Sequence, residues 1–440
     1  MKAVQVMQST NAKLIVIAVL ILLILIPMNM IESLIDERQS RKTDAIADVT
    51  TKWGKKQTIT GPVITIPYID FVSKKDGSVV EKTIHKHILP AALSIKSSME
   101  SELRERGIYE VVLYKTHITL TGYFEGNLAS HFNVPQERIK HHQAVLSLGI
   151  SDMRGILKHV QANFKGKPIN IEPGLLIKDI VNSGVHAIRV PIELNNNDIQ
   201  SFSITLELNG SDSLAFTPLA KNNQVSLQSD WPHPSFSGAF LPKERKINDT
   251  GFSAQWNVLN VNRNYPQSWD DDQHQRAISD SAFGVDLFMM ADTYTKSDRA
   301  IKYALLFVLF TFAAFFCAEI TKGNRVHPLQ YLLVGLAISI FYVLLVSLSE
   351  HIPFDFAYLI ASTLTVLLIG LYCKSLFNGS KLPLLIMGML SLLYGYLYTL
   401  MQLEDLALLI GSAGLFVGLA TIMFVTRNID WYQNKAKKIQ

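Results

Sequence analysis

Apolar residues run unbroken from Leu14 to Met28 and, allowing Asn29, on to Ile31, eighteen positions in all. At 1.5 Å per residue this is enough helix to cross a hydrocarbon core ~30 Å thick. Five further apolar runs follow late in the chain, at about 300–318, 329–349, 356–373, 382–402 and 406–426, the first uncharged from Tyr303 on and the others uncharged throughout. Between the first run and the rest lies a polar stretch, 32–298, whose apolar residues recur every second position. Phe202, Ile204, Leu206 and Leu208 do so, as do Val225, Leu227 and Trp231 with Ser229 filling the series, and Ile118, Leu120 and Phe124 share one parity. Period two puts one face on a core and the other in water, the pattern of half-buried strands. The chain therefore reads as a membrane protein with six transmembrane α-helices and a large, mostly antiparallel β domain between helices 1 and 2.

Turn residues punctuate the β stretch. Asp76-Gly77 reads as a hairpin, and Asn209-Gly210 reads as the close of the strand at Phe202. The domain is expected to be one large body or two similar lobes, with any break near Gly174 to Gly184. A helix over Leu34 to Val49 should continue out of the first span, with Glu37 and Arg41 paired four apart. Asp298 and Lys302 have the same spacing, so the second span should begin as a helix before entering the bilayer.

Composition agrees with lipid: 48% of the 440 residues are hydrophobic and 18% charged, against ~25% charged in an ordinary soluble domain. The formal charge of +4 is unevenly placed, with 29 basic and 31 acidic residues in 32–298 and 12 basic and 6 acidic elsewhere. The basic surplus belongs to the membrane flanks, so a nucleic-acid partner is not indicated. Lys2 and Lys13 would also suit a signal peptide, but Pro27 to Glu37 (PMNMIESLIDE) has no small-residue cleavage pattern, which favours an uncleaved anchor. The two cysteines, Cys317 and Cys373, both lie in apolar runs, so no disulfide staples the β stretch.

Orientation follows from the short loops, because Lys and Arg mark the cytoplasmic side. Lys2, Lys13, Lys322, Arg325, Lys374, Lys381, Arg427, Lys435, Lys437 and Lys438 all fall on one side of a six-span arrangement, whereas the loops at 350–355 and 404–405 carry no Lys or Arg. This predicts a short cytoplasmic N-terminus (1–13), a first span at 14–31, an exported domain at 32–298 that in a bacterium is periplasmic, a five-helix domain at 299–426 and a basic cytoplasmic tail at 427–440.

Candidate chemistry is sparse. His85 and His87 share one face of a strand, where two imidazoles can reach one metal, but with no third ligand visible nearby the bland reading of two surface histidines is preferred. His141 and His142 would diverge to opposite faces of a strand. Trp231 to Phe236 (WPHPSF) holds His233 among Ser and Asp residues. A catalytic triad is assembled from distant segments, so this proximity is no evidence for one. Its two prolines forbid a central strand, and Trp231, His233 and Phe236 are read as a structural corner or a partner-binding patch. Charged residues of the later spans, Glu319, Glu350, Asp355, Glu404 and Asp405, sit at their ends, which argues against ion-coupled transport. Gly411, Gly414 and Gly418 permit close helix packing. Tyr394, Tyr396 and Tyr398 are candidates to line a cleft, but lying near the outer end of their span they read as an interfacial belt, as do Trp431 and Tyr432 at the inner face. No catalytic residue, cofactor or metal ligand is assigned.

Longer runs carry a family resemblance: GPVITIPY at Gly61, SDMRGI at Ser151, SDWPHPSFSGAFLP at Ser229, GFSAQW at Gly251, DRAIKYALLF at Asp298, HPLQYLLVGL at His327, LSEH at Leu348 and TRNIDWY at Thr426. With these the chain resembles the CreD family of cell-envelope integrity proteins of the Gram-negative inner membrane. The resemblance implies a six-span inner-membrane protein with a large periplasmic domain, tied to envelope stress responses and tolerance of some colicins, its expression under a two-component system. It brings no catalytic residues. The leading expectation is a non-enzymatic envelope protein, set in the lipid bilayer, whose exported domain binds an envelope protein or envelope component. The alternatives are a membrane-anchored periplasmic hydrolase or lipid-modifying enzyme, and a transporter.

Overall fold

The structure, a computed structural model, describes residues 10–73, 79–287, 293–322, 326–377, 381–403 and 406–427. The expected hairpin at Asp76-Gly77, the acidic pair Glu404-Asp405 and the aromatic pair Trp431-Tyr432 lie outside them. The chain divides into two compact units: Asp44–Met290, which is built of strands, and the residues up to Thr43 together with those from Ala291 on, which are helical.

In the β unit, nine strands form one sheet: β1 (Gln57–Ser73), β2 (Val79–Ile88), β5 (Val145–Ile150), β8 (Glu172–Pro173), β9 (Gly184–Ile188), β11 (Ser213–Phe216), β13 (Pro234–Gly238), β16 (Ser268–Asp270) and β17 (Phe283–Leu287). Eight form the other: β3 (Ala92–Arg106), β4 (Tyr109–Phe124), β6 (Gln161–Phe164), β7 (Lys167–Ile169), β10 (Gln200–Ser211), β12 (Asn222–Ser229), β14 (Glu244–Asn248) and β15 (Gly251–Leu259). The order in the first is β13-β17-β11-β1-β5-β9-β8, with β2 added to β1 and β16 to β2; in the second it is β14-β15-β12-β3-β4-β10-β6-β7. The sheets are mixed. Pairing is antiparallel except for β1 with β11 and β3 with β12.

The period-two residues supply the core. Phe202, Ile204, Leu206 and Leu208 of β10 are all buried, and they join Ile118, Leu120 and Phe124 of β4 and Ile59, Ile64 and Ile66 of β1 in one cluster. Inner faces of both sheets thus share a single core, as in a sandwich. Core residues on both sides of 174–184 belong to it, so that segment does not separate two lobes. A second, smaller cluster (Val63, Leu89, Ile180, Leu219, Tyr265, Trp269, Ile278) lies on the other face of the nine-stranded sheet, beneath the 174–183 segment and the short helix α2 (Gln275–Asp280).

Two glycines explain local departures. Gly61, at φ 126°, and Pro62 sit where the β1–β5 register shifts between Thr60 and Val63. A bulge at that point lets a central strand carry a proline and pair with β11 before it and β2 after it. Gly210, by contrast, does not close its strand. Asn209 and Gly210 continue β10 opposite Lys115 and Tyr114, and the chain turns at Asp212, at φ 60°. A side chain at Gly210 would put its Cβ 2.3 Å from the ring of Tyr114, which is wholly buried and donates its hydroxyl to the Ser213 carbonyl at 2.7 Å. Gly210→Ala is therefore expected to cost about 1–3 kcal/mol by overpacking, measurable as a lower denaturation midpoint with unchanged slope.

In the helical unit, α1 runs from Thr10 to Trp53, its last ten residues belonging to the β unit. The expected helix after the first apolar run is therefore present, and Arg41 meets Glu37 at 2.6 Å. Beyond the β unit come α3 (Thr293–Lys302), α4 (Ala304–Lys322), α5 (Pro328–Ser349), α6 (Phe354–Leu376), α7 (Leu382–Gln402) and α8 (Ala407–Thr426). Lys302 of α3 pairs with Asp298 at 2.6 Å, and α3 meets α4 at a bend of 43°. Among the described residues four helices are long and apolar enough to cross a membrane, five if α3 and α4 count as one bent span, and α8 adds an apolar stretch over Leu409–Phe424. Large apolar side chains such as Leu22, Ile26, Leu368 and Leu392 stand exposed on these helices, as lipid-facing surfaces require.

Tyr394 of α7 does not belong to an interfacial belt, and it lines a cleft together with Tyr398. Tyr394 is buried against Phe307 and Phe341 at centroid distances of 5.1 and 4.6 Å, Tyr396 donates to the Ile410 carbonyl, and Tyr398 donates to Asp355 at 3.0 Å. Gly414 and Gly418 of α8 accept the rings of Tyr396 and Phe310, which a Cβ at either position would overlap.

Candidate functional site

Three places in the β unit concentrate polar chemistry. The first is the SDMRGI run, which secures the chain as it leaves α1. Asp152 accepts the Lys55 amide at 3.0 Å, the Arg154 amide at 3.2 Å and the Arg154 guanidinium at 2.9 and 3.0 Å. The buried Gln57 side chain donates to the Asp152 and Asn209 carbonyls, and Gly155 lies so close to Asn209 that a Cβ would come within 2.3 Å of its oxygen. Burial alone would raise the Asp152 carboxyl, but the bonds from Arg154 and Lys55 outweigh it and hold the group below the usual carboxylate range.

The second is WPHPSF, where the chain passes from β12 of one sheet to β13 on the edge of the other. Trp231 is buried, its indole N–H donates to the His233 carbonyl at 3.1 Å, and its own amide donates to Ser229 Oγ at 3.2 Å. Phe236 is half-buried and packs edge-on against Phe252 and Trp256 at 5.7 and 5.8 Å. Asp230 turns away to bind Ser101 through its amide and hydroxyl, at 2.8 and 2.6 Å. Among the described residues the His233 ring has no hydrogen-bonded carboxylate or hydroxyl; it stands edge-on to Trp231 at 6.4 Å. The arrangement holds a backbone corner. Ser229 and Asp230 also border an open groove of about 490 Å³ lined by Ser98, Glu100, Gln228, Lys246 and Ser253.

The third place surrounds His85 and His87. Both project from β2 to one face, as their spacing predicts, and residues far away in sequence meet them there. Asp179, from the segment beneath which the smaller cluster packs, puts Oδ2 3.1 Å from His85 Nδ1 and 3.3 Å from His87 Nε2. Asp271, in the left-handed conformation at φ 52° just after β16, accepts the His85 amide at 3.1 Å and pairs with Lys82 at 3.0 Å. Burial would raise the Asp271 carboxyl, yet the His85 amide and Lys82 bring it below its ordinary value. His87 is fully buried opposite Thr65 and Trp269, its Nδ1 2.9 Å from Thr65 Oγ1 and its Nε2 without a hydrogen-bond partner. Burial lowers its imidazole pKa against the opposing pull of Asp179, so the ring is neutral at physiological pH. Beside it is a cavity of about 10 Å³, bordered by Thr65, Ser147 and Ile180, with room for about one water-sized occupant. The sequence shows the two histidines but not the carboxylates, which lie 92 residues or more along the chain. His141 and His142 sit on an exposed 3-10 turn and not on a strand.

The helical unit has its own polar contacts. Glu319 is buried near the end of α4, pairs with Lys13 of α1, and accepts from Tyr331 Oη at 3.3 Å and the Val326 amide at 3.1 Å. Glu350 pairs with Arg38 at 3.6 Å and accepts from Tyr294 at 2.9 Å. An apolar cleft of about 740 Å³ between α4, α7 and α8 is walled by residues such as Phe310, Leu385 and Val417.

Several apolar helices of spanning length, together with a large mixed-sheet unit, fit an integral membrane protein. The family described as inner membrane protein CreD matches residues 9–432, and the inner membrane protein CreD of Escherichia coli (strain K12) is 34% identical over 425 residues, 96% of this chain and 93% of the relative. The chain belongs to the CreD family of inner membrane proteins. Among solved structures, the M1 zinc metallopeptidase of Deinococcus radiodurans aligns with 39% of this chain and 38% of its own, at 7% identity and a TM-score of 0.19, a likeness too slight to bear on fold or activity.

Proposed function

We propose that this protein is a six-span, non-enzymatic anchor of the inner membrane that presents its β unit to the periplasm, where the outer face of the eight-stranded sheet docks a polar envelope component. The observation that carries the docking reading is the register of that face. Asn257, Gln224, Ser94, Thr121, Ser203 and Asn163 stand side by side across six strands, and the next row holds Gln255, Ser226, Lys96, Thr119, Thr205 and Gln161. All are exposed or half-buried, and only Lys96 is charged. Surfaces that serve solubility alone intersperse ~25–35% charged residues. A field of hydroxyls and carboxamides instead offers paired donors and acceptors to a ligand rich in hydroxyl groups, such as an envelope glycan. Binding of the folded protein to purified glycan sacculi, lost in Ser94→Arg and Thr121→Arg variants of unchanged stability, is the expected result; undiminished binding in those variants would refute the assignment of this face.

The topology has its own support. Lys13 and Glu319 belong to ends that the basic-loop rule assigns to the cytoplasm, and Arg38, Tyr294 and Glu350 to ends that it assigns to the periplasm, so each contact joins residues of one side. Reporters fused after Asn378 and at the C-terminus should report cytoplasm, and one inserted near Asp76 periplasm. A periplasmic signal at Asn378 rules out six spans.

A further inference from the structure

Two imidazoles and two carboxylates from three separate regions of the chain converge on β2. We propose that His85, His87, Asp179 and Asp271 bind one divalent transition-metal ion of the zinc type.

The buried histidine is the first ground. Nε2 of His87 has no hydrogen-bond partner and faces Asp179 Oδ2 at 3.3 Å, while Nδ1 is held by Thr65 Oγ1 at 2.9 Å. A metal-binding imidazole is held in this way, one nitrogen fixed by a hydrogen bond so that the other presents its lone pair. An interior polar atom that makes no hydrogen bond is otherwise destabilising, and a bound ion removes that cost.

Spacing is the second ground. Ligand atoms about 2.0–2.1 Å from a tetrahedral ion lie roughly 3.3–3.4 Å from one another. Ligand atoms of His85, Asp179 and Asp271 all fall within 4.8 Å of one another, with Asp179 Oδ2 3.1 Å from His85 Nδ1; His87 meets this group through Asp179 alone, its Nε2 3.3 Å from the same Oδ2. Asp271 also keeps the His85 amide and Lys82 as neighbours. A carboxylate has lone pairs for both and for a metal.

The donor set names the ion class. Imidazole nitrogen with carboxylate oxygen suits zinc and its transition-metal neighbours, whereas calcium and magnesium take oxygen-only shells. Bound there, the ion would tie the 174–183 segment and the turn after β16 to β2, crosslinking three regions distant in sequence.

The test uses the full chain in detergent, stripped of metal by a chelator and titrated with zinc alone in a calorimeter, with cobalt(II) as a spectroscopic substitute. One zinc per chain, a tetrahedral cobalt spectrum and a thermal midpoint that rises with zinc concentration are expected. His87→Gln and Asp179→Asn should each weaken zinc binding at least tenfold, and a control with both His141→Gln and His142→Gln should bind as the parent does. Because replacing a buried histidine can unfold its strand, the partly exposed Asp179 is the deciding position. Failure of the folded parent chain to bind zinc saturably, or zinc binding undiminished in a folded Asp179→Asn variant, overturns the proposal.

Discussion

Trp231→Ala is expected to destabilise the β unit by roughly 3–5 kcal/mol, the range for deleting a buried aromatic ring. The ring is buried where the chain passes between sheets, and its N–H satisfies the His233 carbonyl at 3.1 Å. Its removal therefore leaves both a cavity and an unpaired acceptor at the crossover. Phe236→Ala should cost less, because Phe236 is half-buried on the edge strand. His233→Gln should stay within about 0.5 kcal/mol, as exposed or lightly engaged positions do. Hydrogen exchange of the β12 and β13 amides measures all three on the full chain. A His233→Gln loss as large as that of Trp231→Ala would show that the imidazole does more than accompany the indole, and would revive the enzyme reading.

A loss of roughly 2–4 kcal/mol is expected for Asp152→Ala, which strands the Lys55 and Arg154 amides at about 1–3 kcal/mol for each donor left unpaired. The effect should depend on pH with a definite sign. The folded carboxyl lies below its ordinary value because Arg154 and the Lys55 amide bind the charged form, so the folded state holds the carboxylate more firmly than the unfolded chain does. Its stabilisation is then complete above the unfolded pKa and is lost as pH falls through the folded one. Parent and Asp152→Ala stabilities should differ most at neutral pH and converge in acid below the carboxylate range. Denaturant titrations at neutral and acid pH would check this; a gap that widens on acidification would contradict the assigned role of the carboxylate.

Much of this protein was legible without a structure because its signals are local. A run of eighteen residues, apolar but for Asn29, is long enough to span a bilayer, and strict alternation at Phe202 to Leu208 dictates a strand with one buried face. The helix beyond the first apolar run and its Glu37–Arg41 pair followed from i,i+4 spacing alone. The β10 turn was misplaced because Asn-Gly signals a turn only when nothing else requires the glycine, and here the ring of Tyr114 across the sheet requires it. The place of Tyr394 near the end of its span suggests an interface, yet Phe307 and Phe341 from other helices bury it.

The same division applies to the candidate sites. The prolines around His233 announced a corner, but only packing shows that Trp231 rather than His233 carries it. His85 and His87 announced a shared face, while Asp179 and Asp271 became their neighbours through the pairing of β2 with β16 and the laying of the 174–183 segment across the sheet. Local sequence therefore determined which surfaces had to leave water and which side chains could share a face. Only tertiary structure decided which distant carboxylates complete a site, because strand order and loop placement follow from burying the whole core at once and leave no periodic trace in the chain.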